Sequence, residues 1–247
     1  MKSLKSKIDL KRFLILLLSF SLQVNLCSGI EGRLAIDSSW NRIIYISLIP
    51  NLDQLNFMSN QLIIDKAEID KDGKFLFDTD YLPAEDYLYR IHLSKKGDPP
   101  ASLIIGGKDE NHMFIIANNN SKIKINATSS ETLFGNVEIT NSPQSRILNE
   151  VNKMLLYVDT SSFYNTPLKR ELIETALDEK LRQFADTCSF PLAAFYAIYK
   201  SDFENHIEIN PEFYLQFLAK WKKEKSPYFK EFRKQIPVKT GYNSSLI

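Results

Sequence analysis

Between residues 30 and 140, hydrophobic and polar positions alternate over short runs, and this period of two residues is typical of β-strands. The runs are rich in β-branched and aromatic residues, and clusters of Asn, Asp, Gly, Pro or Ser separate them. About 8–12 residues separate successive runs, which favours antiparallel connections because parallel strands need longer crossovers. The predicted strands lie at 30–36, 42–49, 61–64, 74–77, 87–91, 102–105, 113–116, 122–125 and 136–139.

From about residue 141 the hydrophobic period changes to 3.6 residues, which predicts helices. Ser142-Pro143 and Thr166-Pro167 stand before the first two, and proline is favoured in the first turn of a helix. In the second helix Leu168 and Leu172 begin a predicted apolar face that continues to Phe184. The predicted helices lie at 144–158, 167–184, 192–199, 211–223 and 226–234.

The two patterns together predict an α+β chain. An antiparallel β-sandwich, or a barrel-like sheet, is expected at residues 30–140 and an α-helical domain at residues 141–237. Residues 238–247 are predicted to be a flexible tail.

Residues 1–29 have the pattern of an export signal. Five basic residues precede an apolar run from Phe13 to Leu22, which is too short to span a bilayer, since a spanning helix needs about 20 apolar residues. The small residues near Gly29 predict cleavage after that position. Alternatively Cys27 carries a lipid anchor, although Leu26 is bulky where a lipobox has a small residue. We expect a protein of the periplasm or cell envelope that contacts a membrane only if Cys27 is acylated.

The charge balance argues against nucleic acid as a partner. The 247-residue chain has 31 Lys and Arg against 30 Asp and Glu, and removal of residues 1–29 leaves 26 against 29, a net charge of −3. After this cleavage Cys188 would be the one remaining cysteine, so no intrachain disulfide is expected. Because no second cysteine or basic residue lies close to Cys188 in sequence, we predict a half-buried structural cysteine.

The three histidines, His92, His112 and His206, do not have the spacing of a metal site. We therefore predict that they are lone surface residues and expect neither a metal nor another cofactor. No nucleophile, base or pair of carboxylates stands out from the solvated positions either. The sequence thus favours a protein without enzymatic activity.

Two glycine-containing segments are predicted to be turns. Asp70 to Gly73 resembles the start of a calcium loop, but Thr79 stands where an EF-hand has its bidentate glutamate. A hairpin in which Gly73 adopts a positive φ is the better interpretation. Gly106-Gly107-Lys108 is interpreted as a loop bend, because Ser102 replaces the first glycine of a phosphate-binding loop.

The C-terminal helices are unusually aromatic, and this is the strongest functional lead among the residues. Aromatic side chains fill cores, but they also anchor protein interfaces. We predict a partner surface at Phe213, Tyr214, Phe217, Trp221, Tyr228 and Phe229.

Four short motifs in sequence order carry a family resemblance. They are Ile30-x-Gly32-x-Leu34, Ile69-Asp70-x-Asp72-Gly73-x-Phe75, Leu82-Pro83 and Asp86-Tyr87-Leu88. In this order, after an export signal, they resemble the DUF4369 domain, which in exported proteins of Bacteroidota commonly precedes a thioredoxin-fold domain of the AhpC/TSA or TlpA type.

The resemblance covers residues 30 to about 126, and residues 141–236 look like the spacer that follows the domain. Two features depart from the family pattern. Pro83-Ala84-Glu85-Asp86 replaces the expected Pro-Gly, and the thioredoxin domain with its Cys-x-x-Cys pair is absent from the sequence.

The resemblance implies a non-enzymatic binding or scaffold protein of the envelope, whose partner is a separately encoded thioredoxin-fold protein. The alternative is a small-molecule-binding protein, or an unrecognised hydrolase, with a pocket in the β-domain. A third interpretation is a truncated relative of a disulfide reductase.

Overall fold

The computed structural model describes residues 28–127, 132–162, 166–201 and 203–240. The predictions for the export signal, for Cys27 and for the end of the tail fall on residues outside these ranges. Within them, two sheets are followed by helices, so the predicted α+β fold class is confirmed.

The strands form two four-stranded sheets. The outer sheet has the order β4-β1-β7-β8 and the middle sheet the order β3-β2-β5-β6. Neighbouring strands are antiparallel except β1 and β7, which run parallel. The strands are β1 (Gly29–Leu34), β2 (Trp40–Ile49), β3 (Ile63–Glu68), β4 (Lys74–Asp78), β5 (Tyr87–Lys95), β6 (His112–Ala117), β7 (Lys122–Ala127) and β8 (Val137–Thr140).

The two sheets differ in how many of their faces are buried. β4 and β8 alternate strictly between buried and exposed residues, as expected for a sheet with one solvent face. In contrast, every residue of β6 and all but the end residues of β5 are buried. The middle sheet therefore has a layer on each side, the outer sheet on one face and the helices on the other.

The two faces of the middle sheet pack into two separate hydrophobic cores. Tyr89 and Ile115 pack in the sandwich core with residues of the outer sheet such as Ile30. Leu88 and Ile116 pack in the second core with the helices. The helices are α1 (Pro143–Ser162), α2 (Pro167–Thr187), α3 (Pro191–Lys200), α4 (Phe203–Ile209), α5 (Pro211–Lys220) and α6 (Pro227–Thr240).

Proline begins α1, α2, α3, α5 and α6, which agrees with its preference for the first helical turn. The short α4 was not predicted from the sequence. None of the helices in the described ranges combines the length and the apolar character that a bilayer crossing requires.

Tyr228 of α6 ties the helical layer to the middle sheet. Its buried hydroxyl accepts a hydrogen bond from the Leu88 N–H (3.0 Å) and donates one to the Ile49 carbonyl. Ile49 and Leu88 are register partners on β2 and β5, so the hydroxyl closes the end of their ladder. Tyr228 thus joins the last helix to two central strands that lie 140 residues or more before it in the sequence.

The predicted strand at 102–105 is wrong, because this segment belongs to the loop between β5 and β6. The side chain of Asn111 replaces a strand partner there. Its Nδ2 donates to the carbonyls of Leu93 (2.5 Å) and Ser102 (2.9 Å), and its Oδ1 accepts from the Ile104 N–H (2.8 Å). One side chain therefore satisfies the backbone of a loop that has strand-like composition.

The turn predicted at Asp70 to Gly73 is confirmed, but it does not close a hairpin, because β3 and β4 belong to different sheets. Gly73 has φ of 81°, and its N–H donates to the Asp70 carbonyl (3.0 Å). Asp70 Oδ1 accepts from the N–H groups of Asp72 and Lys74, both at 2.8 Å. These hydrogen bonds lower the pKa of the Asp70 carboxyl, with the Lys74 bond the largest cause. The turn carries the chain from the middle sheet to the outer sheet.

Gly73→Ala is expected to destabilise the protein much more than Gly97→Ala. Both glycines have left-handed φ, 81° and 90°, so each alanine costs about 1–2 kcal/mol of backbone strain. A Cβ on Gly73 would lie 2.2 Å from the Leu34 carbonyl oxygen, whereas one on Gly97 meets nothing within 4 Å. Urea unfolding should show a loss of about 3 kcal/mol or more for Gly73→Ala. Equal losses for the two variants would contradict this account of the turn.

Candidate functional site

The helix-facing side of the middle sheet changes from apolar to polar along its strands. Register partners on β2, β5 and β6 form three rows across this face. An apolar row packs against the helices, a mixed row follows, and the third row is polar. The rows are Ile49, Leu88 and Ile116; then Ser47, Arg90 and Phe114; then Tyr45, His92 and His112.

Arg90 lies at the centre of the mixed row and is fully buried. Its guanidinium stands 5.3 Å from the centroid of the Phe114 ring. Within the described ranges no carboxylate lies within 4.0 Å of it, and neutral acceptors hold it instead. These acceptors are the carbonyls of Gln54 (3.1 Å), Leu55 (2.6 Å) and Phe57 (3.0 Å) and the sulfur of Met58 (3.0 Å). Burial lowers the Arg90 pKa to about 10, so the group is charged at neutral pH.

His92 and His112 are not surface residues, and the prediction that they are is wrong. They are 0% and 6% exposed and are register partners on β5 and β6. The His92 ring stacks on Tyr45 with 5.2 Å between centroids. Its Nε2 lies 3.2 Å from the Pro100 carbonyl, which can only accept, so in the neutral ring Nε2 carries the proton. His112 Nε2 lies 3.5 Å from the Glu110 carboxylate.

Burial sets the charge state of both histidines. It lowers the pKa of His92 to about 4 and that of His112 to about 3, and the positive charge of Arg90 lowers both pKa values further. Both imidazoles are therefore neutral at pH 7. His206, the third histidine, is partly exposed on α4, where Nδ1 lies 3.0 Å from the Tyr214 hydroxyl.

A cavity of about 350 Å³ lies where the open edge of β6 meets the helices; we call it the seam cavity. Six segments converge on it, namely the 3-10 turn Leu52–Asn56 after β2, the β5–β6 loop, β6, the β7–β8 loop, α1 and α3. Its walls are Asn56, Ile105, Gly106, Gly107, Glu110, His112, Met113, Phe114, Thr132, Phe134, Gly135, Asn149, Asn152, Lys153, Leu155, Tyr196 and Lys200. The bend predicted at Gly106-Gly107-Lys108 is confirmed, because both glycines have φ near 75°.

Three polar side chains of α1 and α3 are linked at the cavity wall. The buried Tyr196 hydroxyl donates to Asn152 Oδ1 (2.6 Å), and burial raises the Tyr196 pKa, so this hydroxyl keeps its proton. Lys200 Nζ donates to Asn56 Oδ1 (3.2 Å) and stands 5.8 Å from the centroid of the Tyr196 ring. Burial also lowers the pKa of Lys200.

The unpaired edge of β6 lies beside the cavity. The Leu93 N–H of β5 donates to the carbonyl of Asn111, which continues the register of β5 and β6. Because the backbone groups of successive residues in a strand point to opposite sides, the N–H and C=O of Phe114 and Ile116 point away from β5. Ser145 Oγ satisfies both groups of Ile116, at 3.0 and 2.8 Å. In the described ranges no strand pairs with Phe114 on that side.

Buried polar atoms without a hydrogen-bond partner concentrate in this region. Of the eight such atoms in the described part of the chain, six belong to residues of the polar or mixed row, the segment that holds Arg90, or the cavity wall. A cluster of this kind marks a functional region more often than ordinary core, because each such atom costs free energy. They are Ser47 Oγ, Gln54 Oε1, Arg90 Nε, His92 Nδ1, His112 Nδ1 and Asn152 Nδ2.

The predicted aromatic partner surface lies mostly inside the protein. Tyr214, Phe217, Tyr228 and Phe229 are at most 4% exposed, so these four side chains do not form a surface. Phe213 and Trp221 are partly buried and pack against the same core. Aromatic enrichment here reflects the core that six helices build against the sheet.

Cys188 is buried rather than half-buried, and burial raises the pKa of its thiol. Its sulfur hydrogen-bonds with the backbone of Phe190 at 3.4 and 3.5 Å, where α2 ends. The prediction of a structural role agrees with this position. Among the residues described, no three His, Cys, Asp or Glu side chains converge as a metal site requires.

A second concave region, on the solvent face of the outer sheet, is larger, at about 940 Å³, and somewhat more open to solvent. Its charged residues are exposed, as in the pair of Lys124 and Glu31 at 3.3 Å. No buried group with a displaced pKa lines it. The seam cavity is therefore the better candidate site.

Sequence analysis missed the residues that make this site, chiefly Arg90, Asn152, Tyr196 and Lys200. One signal was present in β5, where Arg90 and His92 occupy alternate positions between hydrophobic residues. In a strand buried on both faces, such a pair marks a polar interior. No family model, no curated protein and no solved structure matches the chain.

The free energy of unfolding is expected to fall as the pH is lowered from about 6.5 towards 4. His92 and His112 have lowered pKa values in the folded protein, so the unfolded chain binds more protons in this window, and above it their contribution is fully retained. Each histidine contributes a slope of up to about 1.4 kcal/mol per pH unit. Chemical denaturation should show a shallower acid slope for His92→Gln and His112→Gln. Slopes identical to that of the parent chain would contradict the burial argument.

Proposed function

We propose that this chain is an exported, non-enzymatic protein that binds a small molecule in the seam cavity. One observation carries the proposal, namely a cavity that six segments of the chain build, with partnerless buried polar atoms of His112 and Asn152 in its wall and four more on the adjoining sheet face and the segment that holds Arg90. At about 350 Å³ the cavity falls within the usual range for ligand pockets, about 300–1,000 Å³.

The position of the cavity also supports binding. Small-molecule sites are concave, mostly apolar and furnished with a few polar groups. Here Phe114, Phe134 and Leu155 supply apolar walls, while Lys200 and Asn152 supply donors. The sandwich core between the two sheets is filled by side chains, so the cavity lies beside the β-domain and not within it.

The charge states argue for binding without chemistry. A general base works best with a pKa near the operating pH, and the His112 pKa of about 3 is far below it. Cys188 does not line the cavity, and burial raises its pKa, which opposes formation of a thiolate. Export rests on the basic and apolar pattern of residues 1–29 alone.

Ile105→Trp is expected to abolish ligand binding. Ile105 lies at the wall of the cavity and is 56% exposed, so a larger side chain there blocks the cavity without repacking the core. A fragment panel measured by saturation-transfer NMR should give binders to the parent chain whose signals disappear with Ile105→Trp.

Leu76→Trp is the matched control, because Leu76 is 65% exposed and lies on the outer sheet. It should keep every binder. A panel that gives no binders, or binders unaffected by Ile105→Trp, would refute the cavity as the binding site.

A protein partner is a second candidate, and one surface feature favours it. Leu168 and Leu172 are 68% and 62% exposed and stand one turn apart on α2. The apolar face predicted for this helix therefore lies against the core only in its second half, where Leu181 is buried. With the resemblance to DUF4369, this exposed patch supports docking of a separately encoded thioredoxin-fold protein.

The docking candidate makes a separate prediction. Cross-linking in envelope preparations, followed by mass spectrometry, should join the start of α2 to a thioredoxin-fold protein. Leu168→Ser with Leu172→Ser should remove this cross-link, and Leu76→Ser should not. Cross-links that avoid α2, or that reach no thioredoxin-fold protein, would reject this candidate.

A further inference from the structure

We infer that the seam cavity binds an organic monoanion, such as a carboxylate, whose charged group pairs with Lys200 while its apolar part lies against Phe114 and Leu155. This inference rests on the binding function proposed above and adds the chemical class of the ligand. It follows from the balance of charges and of hydrogen-bond donors around the cavity.

Lys200 is a cation without a close counter-charge in the described part of the chain, although the negative charge of Glu110 acts on it from beyond 4.0 Å and raises its pKa. Its nearest polar contact is the neutral Asn56 Oδ1 at 3.2 Å, and no carboxylate within the described ranges lies within 4.0 Å. Lys200 is partly buried, and burial is the main cause that lowers the pKa of its ammonium. A desolvated cation gains more from an anion than a solvated one does, because the local dielectric is lower.

The other charges near the cavity do not cancel this one. Arg90 adds a second positive charge behind the Phe114 wall, and its acceptors are all neutral. Lys153 is neutralised by Glu150, at 3.0 Å. Glu110 is the one carboxylate among the residues that line the cavity, and it lies next to His112. Two positive charges, Arg90 and Lys200, therefore face the one negative charge of Glu110, and the excess of one positive charge suits a ligand with a single negative charge.

The hydrogen-bonding groups favour an acceptor ligand as well. The Phe114 N–H points to the unpaired side of β6. Asn152 accepts a hydrogen bond from Tyr196 through Oδ1, while its Nδ2 donor has no acceptor in the described part of the chain. The two oxygens of a carboxylate accept several hydrogen bonds at once. Charge-assisted hydrogen bonds are also the stronger kind.

Matched carboxylate and carboxamide pairs test the inference, because the members of a pair share shape and differ in charge. Phenylacetate and phenylacetamide are the reference pair within a wider panel of such pairs. Titration calorimetry at pH 7 should give Kd values about tenfold lower for the carboxylates.

Lys200→Met should reduce this ratio to about one while the carboxamides keep their affinity. Lys200→Arg retains the charge and should retain most of the preference. Lys124→Met removes an exposed ammonium of the outer sheet and should change nothing. Binding by Lys200→Arg and by the carboxamides also shows that the variants are folded.

The outcomes separate this inference from the function on which it rests. If carboxamides bind as well as carboxylates and Ile105→Trp blocks both, the cavity is a ligand site and the charge inference is wrong. A preference for carboxylates that survives Lys200→Met also overturns the assignment to Lys200. If no compound of the panel binds, both the function and the inference fail.

Discussion

The buried guanidinium of Arg90 is the constraint on which the rest of the site depends. A charge in a protein interior is tolerated only when its donors find acceptors. Here the acceptors are backbone carbonyls and a sulfur of residues 54–58, so the charge fixes that segment against the middle sheet. Because none of these acceptors is ionised, the segment is anchored and the positive field is kept. A carboxylate partner would have provided the anchor and cancelled the field.

That field acts on every polar neighbour across the face. It adds to burial in keeping His92 and His112 neutral, and it opposes protonation of Lys200. The polar row thus stays uncharged although it contains two imidazoles, and the cations stay concentrated at one side of the cavity. An anionic ligand would give Lys200 a close counter-charge and offset the repulsion between Lys200 and Arg90. The site is electrostatically incomplete in a way that ordinary core is not.

The architecture could be predicted from the sequence because buried positions recur with the period of the strand or helix that contains them. One-sided strands such as β4 alternate strictly, and prolines mark where five helices begin. The turn at Gly73 was also predictable, since a local turn depends on local residues, but the sheet change that it makes was not. The failures came where tertiary contacts override local pattern. Residues 102–105 look like a strand, but the distant side chain of Asn111 takes the place of their partner. The parallel pairing of β1 and β7 likewise leaves no local signal.

The site was harder to predict because its residues are far apart in sequence and ambiguous one at a time. Tyr214 and Tyr228 were candidates for an interface by composition, yet the middle sheet needs an apolar cover on its second face, and the C-terminal helices supply it. That cover ends at the row of Ser47, Arg90 and Phe114. Beyond this row the face turns polar, where more apolar side chains would have given a more stable protein. A fold that can bury both faces of its central sheet, but leaves half of one polar beside a cavity, gives up stability at that place, and the ligand binding that we propose would account for this cost.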